Sequence, residues 1–292
     1  MPTPQPGIFA LGTLAHSYVE LDLVDGASPA GLVGAVAGLE EPRTTMGGVN
    51  LVSGFRPEIW DGPVPAGLHG LTEPVVGPDG FTMPATQHDV VLWVSGGSYD
   101  VVFDAVIGML AALEALAVLA HEVPGWTYHR DRDLTGFIDG TENDSVLASP
   151  SEVVVPDGSP GAGGSVLLLQ QWAHEARAWS ALSTRRQEAA MGRTKADSTE
   201  LEDKPASSHV ARTDQDELGQ IFRRNTPYGS VADHGTMFVG FAAEQGPLER
   251  MLDSMVGIGG PRDELTRYTT PLTGSYYFVP SIEDLNASPS TA

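Results

Sequence analysis

The chain has 292 residues, with 16 Lys and Arg against 38 Asp and Glu, and its formal net charge of −22 excludes nucleic acid and anionic membrane surfaces as partners. It contains no Cys, which excludes disulfides, thiolate ligation of zinc or of iron–sulfur clusters, and a Cys nucleophile. The apolar fraction of 41% is sufficient for buried cores in one large domain or in two small ones.

The N-terminus and the longest apolar run bear on the location of the protein. Residues 1–7 lack the basic region and the apolar region of a secretory signal. The apolar run over residues 105–120 is shorter than the roughly 20 residues that span a bilayer, and Glu114 interrupts it. We therefore expect a cytoplasmic protein with no membrane partner.

The first half of the chain predicts strands and helices in the order β-α-β-β-α-β. Runs rich in β-branched or aromatic residues between Gly and Pro predict strands over 13–23, 49–55, 88–94 and 122–128. Helices are predicted over 28–39, with Ser28 as N-cap and Pro29 in the first turn, and over the Ala- and Leu-rich residues 99–119. This is the element order of a ferredoxin-like fold.

The second half repeats this order. Strands are predicted over 165–172, 218–222, 237–241 and 274–279, and helices over 175–190 and 248–255. A Pro-, Gly- and Ser-rich stretch predicts an exposed linker over 148–164, between an N-terminal half (1–147) and a C-terminal half (165–292). We therefore expect an α+β protein with a duplicated ferredoxin-like fold, in which each βαββαβ half has an antiparallel sheet.

The most conspicuous polar segment is residues 133–144, which follows a predicted strand. It places Asp139 between Gly136 and Gly140. Glycines on both sides let the backbone approach a ligand closely while the carboxylate is aimed at it. The same pattern also fits an Asp-Gly turn at the surface.

Three further polar clusters follow. Arg193 and Lys195 are cations that could bind the carboxylates of an anionic cofactor or could interact with the C-terminus of a helix. Their segment lacks the upstream glycine of a phosphate-binding loop, which excludes a nucleotide site of that kind. His209 lies in a short polar segment without a second His at the spacing of a zinc-binding helix. Arg223 and Asn225 follow the predicted strand over 218–222 and are two residues apart, so on a strand they share one face, as they also would on an exposed edge strand.

Five segments, in their order and intervals, resemble the dye-decolorizing peroxidases over nearly the whole chain. They are Gly136-Phe137-Ile138-Asp139-Gly140, Gly192-Arg193-Thr194-Lys195, Ser208-His209-Val210, Arg223-Arg224-Asn225 and Thr273-Gly274-Ser275-Tyr276-Tyr277-Phe278-Val279-Pro280. The compact length and the absence of a signal are similar to the bacterial cytoplasmic branch called B-type.

The resemblance implies a cofactor and an activity. The cofactor is haem b, bound non-covalently and mainly by the C-terminal half. The activity is a peroxidase that uses hydrogen peroxide to oxidise bulky aromatic donors such as dyes and phenolics through a ferryl intermediate, in a homo-oligomer that is a dimer or an assembly of dimers. The alternatives are a haem- or porphyrin-handling protein with incidental peroxidase activity, and an oligomeric scaffold without a cofactor.

The resemblance also implies roles for the matched residues. His209 is expected to be the axial ligand of the iron, and Asp139 the acid–base group on the other face of the haem. Arg223 and Asn225 are expected to be its catalytic neighbours. Since a register shift of one residue exchanges the two faces of a strand, Arg224 remains an alternative to Arg223.

The remaining matched residues are expected to hold the cofactor. Arg193 matches a contact to a haem propionate, and Gly140 and Thr141 are assigned to haem binding by their place in the matched motif. Asp263, matched by position alone, is expected to orient the imidazole of His209 by accepting its other ring N–H.

Overall fold

The structure is a computed structural model that describes residues 2–39, 43–44, 47–129, 132–143 and 148–287. Asp144, the last residue of the predicted polar segment, and the predicted boundary at residue 147 lie outside the described residues. Strands and helices alternate in both halves of the chain.

The N-terminal half forms an antiparallel sheet with two helices on one face. The helices are α1 (Pro29–Ala37) and α2 (Tyr99–Leu113). The strands are β1 (Ala15–Leu23), β2 (Arg43–Thr44), β3 (Gly47–Phe55), β4 (Val75–Val76), β5 (Thr82–Met83), β6 (Val90–Gly96) and β7 (Ala117–Trp126). The four long strands are ordered β3-β6-β1-β7, while β2 pairs with β3, and β4 pairs with β5.

The C-terminal half repeats this topology. Its strands are β8 (Ser165–His174), β9 (Phe222–Arg223), β10 (Thr226–Gly229), β11 (His234–Ala242), β12 (Thr269–Pro271) and β13 (Ser275–Val279). Its helices are α3 (Pro150–Val153), α4 (Ala176–Ser180), α5 (Thr184–Met191), α6 (His209–Arg212), α7 (Gln215–Leu218), α8 (Gly246–Val256) and α9 (Ile282–Ala287). The order β13-β8-β11-β10 corresponds strand for strand to β7-β1-β6-β3, so both halves have the ferredoxin-like topology.

The two sheets join along both edges. The pair Phe278–Phe55 links β13 to β3, and the pair Tyr228–Gly125 links β10 to β7. Side chains between the sheets form a common core that includes Trp93, whose ring centroid lies 6.2 Å from that of Phe241. Because strand side chains alternate, the opposite faces of both sheets point outward and need a separate cover.

Two of the predicted helix boundaries are wrong. The helix predicted over 99–119 ends at Leu113, because residues from Ala117 onward pair with β1 instead. The helix predicted over 175–190 is divided into α4 and α5, because Ser183 is extended, with ψ of 151°. In both places contacts or local backbone geometry override an apolar or helix-favouring run.

The strand predicted over 218–222 and the linker also differ from the expectation. Leu218 ends α7, and only Phe222 of that range lies in a strand, because Gly219 turns the chain at a φ of 104°. In the linker over 148–164, Val153, Val154 and Val155 are 5% exposed or less, so the prediction of an exposed segment is wrong there. They bury apolar surface at the end of the short helix α3.

Within the described ranges, no helix combines the length and the apolar character that are needed to cross a membrane.

Candidate active site

A cavity lies on the outer face of the C-terminal sheet, between β8 and β11 and helices α5, α6 and α8. Alternate residues of β8 form part of its wall, namely Leu168, Gln170, Trp172 and His174. The empty space between the lining residues, including the part that is open to solvent, is about 1220 Å³.

His209 lies in the cavity wall at the start of α6, where the Ser208 hydroxyl accepts a hydrogen bond from the N–H of Ala211. Its Nδ1 lies 2.7 Å from Oδ2 of Asp263, which is completely buried. The other oxygen of Asp263 accepts a hydrogen bond from the N–H of Leu265. A carboxylate at Nδ1 favours the tautomer that carries the proton there, which leaves the lone pair on Nε2. Nε2 has no hydrogen-bond partner within the described part of the chain, so it is available to a ligand in the cavity.

Asp139 lies in the same wall, on a loop whose backbone conformation depends on two glycines. Gly136 and Gly140 have φ of 85° and 68°, a region that other residues rarely adopt. Oδ1 of Asp139 accepts hydrogen bonds from the N–H of Gly140 at 2.8 Å and from Nδ2 of Asn225 at 3.3 Å. Arg132 donates to the carbonyl of Gly136 at 2.7 Å and to that of Lys195 at 2.9 Å, which ties the loop to the segment after α5.

Asn225 connects this loop to the C-terminal sheet. Its Oδ1 accepts a hydrogen bond from the N–H of Val239 in β11 at 3.1 Å, which leaves Nδ2 directed at Asp139. The amide therefore fixes the carboxylate relative to the sheet, and both side chains line the cavity.

Arg223 and Arg224 point to opposite sides of the sheet. Arg223 lines the cavity, and its buried Nε has no hydrogen-bond partner among the described residues. Arg224 donates to the carbonyls of Ile8 and Ala10 and lies 5.2 Å from the ring centroid of Trp93. The arginine at the cavity is thus Arg223, the first of the two alternatives.

Arg193 follows α5, which ends at Gly192 with a φ of 94°. Its guanidinium lies in the cavity wall, donates to the carbonyl of Ser198 at 2.9 Å and forms ion pairs with Glu142 and, at 3.5 Å, with Glu200. Thr141 also lines the cavity. Gly140 is not among the described lining residues, and its N–H binds Asp139.

Sequence reasoning missed two residues of this site. Asp133 lies in the wall, and burial, reinforced by the negative charge of Asp139, raises its pKa to about 6. Asn143 clamps the backbone of Arg223, donating to its carbonyl at 2.7 Å and accepting from its N–H at 2.8 Å. Asp133 precedes Thr135 by two residues, a spacing typical of a local side-chain turn, but no local pattern predicts the contact between Asn143 and Arg223.

The sequence matches the family model described as Dyp-type peroxidase, C-terminal, over residues 130–284, which is just over half of the chain. It is 34% identical over 312 residues to a dye-decolorizing peroxidase of Mycolicibacterium paratuberculosis, covering 98% of this chain and 86% of the relative. It is also 34% identical to a dye-decolorizing peroxidase of Rhodococcus erythropolis, with coverage of 98% and 89%.

Solved structures with the same fold extend the similarity. A variant of DypB from Rhodococcus jostii RHA1 in complex with heme has a TM-score of 0.89 at 31% identity, covering 98% of this chain and 99% of that one. The dye-decolorizing protein from V. cholerae has a TM-score of 0.87 at 30% identity, with coverage of 97% and 98%.

Proposed function

The chain belongs to the dye-decolorizing peroxidases, and from this membership and the cavity we propose how its side chains divide the work of a haem peroxidase. Its function is the oxidation of aromatic donors by hydrogen peroxide with a non-covalently bound haem b. The alternative, a haem carrier with incidental activity, is not favoured, because the curated relatives are peroxidases.

The cavity fits haem by its lining and its donor atoms. Its wall is largely apolar, as a porphyrin ring requires, and includes Ile221, Phe238, Leu248, Met251 and Leu252. His209 offers one free ring nitrogen, which suits a metal whose other positions a planar organic ligand already fills. The same wall contains two buried polar atoms without a hydrogen-bond partner among the described residues, Nε of Arg223 and Oγ of Ser198, which a polar group of the ligand could bind.

His209 holds the iron through Nε2 in this proposal, and Asp263 keeps the proton on Nδ1 and fixes the orientation of the ring. When bound, haem supplies the iron at which peroxide is cleaved and the oxidising equivalents that pass to the aromatic donor. The tight contact between the two side chains supports this pairing, since a buried carboxylate needs a hydrogen-bond donor.

Asp139 moves the proton of peroxide, and Arg223 stabilises charge. Cleavage of the O–O bond requires that the proton of the inner oxygen is transferred to the outer oxygen, which leaves as water. The Asp139 carboxylate accepts and returns this proton at Oδ2, because Oδ1 is held by Gly140 and Asn225. The guanidinium of Arg223 stabilises negative charge that develops on the departing oxygen.

Arg193 is proposed to bind a haem propionate and Thr141 to shape the adjoining wall, while Gly140 acts through its N–H, which holds Asp139. The guanidinium of Arg193 already forms ion pairs with the carboxylates of Glu142 and Glu200, the same kind of contact that a propionate would make. Because a propionate would compete with Glu142 for this guanidinium, we expect haem binding to loosen the ion pair between Arg193 and Glu142.

The observation that carries the assignment is the free Nε2 of His209 in a cavity that also contains Asp139 and Arg223. The test is reconstitution with haem, followed by visible spectra and stopped-flow mixing with hydrogen peroxide. We expect one haem per chain and a second-order rate constant of about 10⁴ M⁻¹s⁻¹ or more. His209→Ala should lose the native ferric spectrum and retain haem poorly, whereas His69→Ala, at an exposed position, should behave like the wild type.

A wild-type protein that reacts at the rate of free haem and exchanges haem readily would instead support the carrier. An unchanged spectrum and haem content in His209→Ala would refute the ligand assignment.

A homo-oligomer and a cytoplasmic location are also proposed. The exposed face of α2 supports self-association, because Tyr99, Phe103 and Ile107 recur every four residues and are each about half exposed, at 51%, 49% and 54%. Light scattering on the wild type and on Phe103→Asp tests the oligomer, and a monomeric wild type would contradict it. Cell fractionation tests the location.

A further inference from the structure

Ser198 has an unusual backbone. Its φ of 58° lies in the left-handed region, which only a few per cent of non-glycine residues adopt. Serine is not among the residue types that favour this region, and glycine adopts it without strain. The side chain is therefore held in a conformation that a glycine would adopt more easily.

The hydroxyl of Ser198 is buried in the cavity wall. The residue is 7% exposed, and its Oγ makes no hydrogen bond to any described residue. A buried hydroxyl without a partner destabilises the folded protein, because it has lost its bonds to water. Such an atom in the wall of a binding cavity indicates a missing ligand group.

The same turn positions a cation next to this hydroxyl. Arg193 and Glu200 form an isolated antiparallel bridge, and the N–H of Ser198 donates to the carbonyl of Thr194 at 3.0 Å to close the turn between them. Nη1 of Arg193 donates to the carbonyl of Ser198 at 2.9 Å. A hydroxyl donor and a guanidinium on one short turn match the two oxygens of a carboxylate.

We propose that the Ser198 hydroxyl donates a hydrogen bond to a carboxylate of the haem, beside Arg193. This rests on the proposed function, because haem b is the carboxylate-bearing ligand that the cavity receives. The left-handed backbone then aims the hydroxyl into the cavity, in keeping with the concentration of strained residues at ligand sites. Ser198 is thus a residue that positions and retains the cofactor.

Haem loss from the reconstituted protein tests this. The Soret absorbance is followed while excess apomyoglobin captures the haem released by the wild type and by Ser198→Ala. We expect about tenfold faster loss from Ser198→Ala, the change that corresponds to one hydrogen bond to a charged group. The matched control is Ser183→Ala, because Ser183 is exposed and its side chain makes no capping hydrogen bond. This control should release haem at the wild-type rate.

Haem dimethyl ester distinguishes the carboxylate from packing. With this cofactor the carboxylates are capped, so the ratio of the release rates of Ser198→Ala and wild type should fall to about one. Ser198→Gly should release haem as fast as Ser198→Ala, while its apoprotein melts at a higher temperature than that of Ser198→Ala, since the backbone strain is relieved.

Two results would overturn the inference while leaving the proposed function intact. One is release from Ser198→Ala at the wild-type rate, and the other is the same rate ratio with haem and with its dimethyl ester. A wild type that binds no haem would overturn both the inference and the proposed function.

Discussion

The two halves share one topology but cover the outer faces of their sheets differently. In the N-terminal half, α2 packs directly on the sheet and buries Val102, Ala105, Val106, Met109 and Leu113 against β1 and β6. In the C-terminal half, α8 covers part of the corresponding face, and the cavity occupies the space between it and the shorter helices. The candidate site thus lies where helices do not pack closely on the outer face of the C-terminal sheet.

The first strand of each half shows the difference in side chains. The outer face of β1 carries Ala15, Val19 and Leu21, which belong to a filled apolar core, and Ser17, whose hydroxyl donates to Glu122. The outer face of β8 carries Gln170 and His174 among apolar residues, and both line the cavity. A buried polar side chain needs hydrogen-bond partners, and Nε2 of Gln170 has none among the described residues. Burial of polar residues alone does not distinguish the halves, because β1 also buries His16, Ser17 and Glu20; the difference is that the polar face of β8 lines a cavity.

Arg223→Leu gives the largest expected effect, on activity and not on stability. It removes one of the two guanidinium groups in the described cavity wall, and we expect the rate constant for the reaction of the ferric protein with hydrogen peroxide to fall by about 10²–10³-fold. Asp139→Ala should cost less, because water can replace a carboxylate as proton carrier but supplies no fixed positive charge. Stopped-flow mixing of both variants, between about pH 4 and 8, measures this. A larger loss in Asp139→Ala would contradict it.

Arg224→Leu is the matched change on the other side of the sheet. It leaves the carbonyls of Ile8 and Ala10 without their donor and removes the contact to Trp93. We expect a loss of about 2–3 kcal/mol in the free energy of unfolding, with little change in the rate constant for peroxide. Denaturant titration and the same stopped-flow experiment test both parts. A variant that keeps its stability and loses its activity would reverse the roles given to the two arginines.

These two arginines also show what the sequence can and cannot predict. The alternation of a strand predicts that Arg223 and Arg224 face opposite sides, but which side carries the cavity depends on pairing with β11, a contact distant in sequence. The strand runs other than 218–222 are correctly predicted, because their β-branched residues are dictated by burial on a sheet. The segments around Asp139, Arg193 and His209 are identified by their resemblance to the family, because the local pattern of each also fits a surface turn, a helix C-terminus or an ordinary histidine.

Other features depend on contacts that no local pattern contains. The pairing of Asn143 with the backbone of Arg223 joins residues that are 80 positions apart. The sequence does not predict the end of α2, because its Ala- and Leu-rich run continues into β7, where pairing with β1 overrides helix propensity. The strained backbone of Ser198 has no signal, since its residue type gives no reason to expect it.

Two histidines, one in each half, extend the comparison to pH. Burial lowers the pKa of His16 in the core to about 4, and it does the same for His174 in the cavity wall. Between pH 6.5 and 4 the unfolded chain binds protons that the folded protein does not, so stability falls as the pH falls. His16→Gln should flatten this acid limb and remove about 2 kcal/mol of the loss at pH 4.

His174→Gln should have a smaller effect than His16→Gln, because His174 is partly exposed in the cavity and solvent screens its charge. Thermal melts of both variants from about pH 4 to 7.5 provide the measurement. Equal slopes in His16→Gln and the wild type would show that the buried imidazole does not control the acid limb.

Asp133→Asn gives the smallest expected effect. It tests whether a buried ionisable group in the cavity wall lowers the stability of the folded protein. Because burial and the charge of Asp139 raise the pKa of Asp133 from 3.8 to about 6, the folded protein retains a proton that the unfolded chain releases as the pH rises through this range. The contribution of Asp133 to stability is therefore fully present below pH 3.8 and is lost by pH 6, above which the ionised carboxylate penalises the folded state.

An amide at this position keeps an oxygen that can accept the hydrogen bonds of Thr135 but carries no charge. We expect Asp133→Asn to raise the stability of the haem-free protein by about 1 kcal/mol at pH 7.5, after discounting for the solvent in the cavity, and to leave it unchanged near pH 4. Melting temperatures at the two pH values measure the difference. An equal gain at both would assign the effect to packing, whereas a gain confined to the higher pH would show that the site carries an ionised group that the fold alone disfavours.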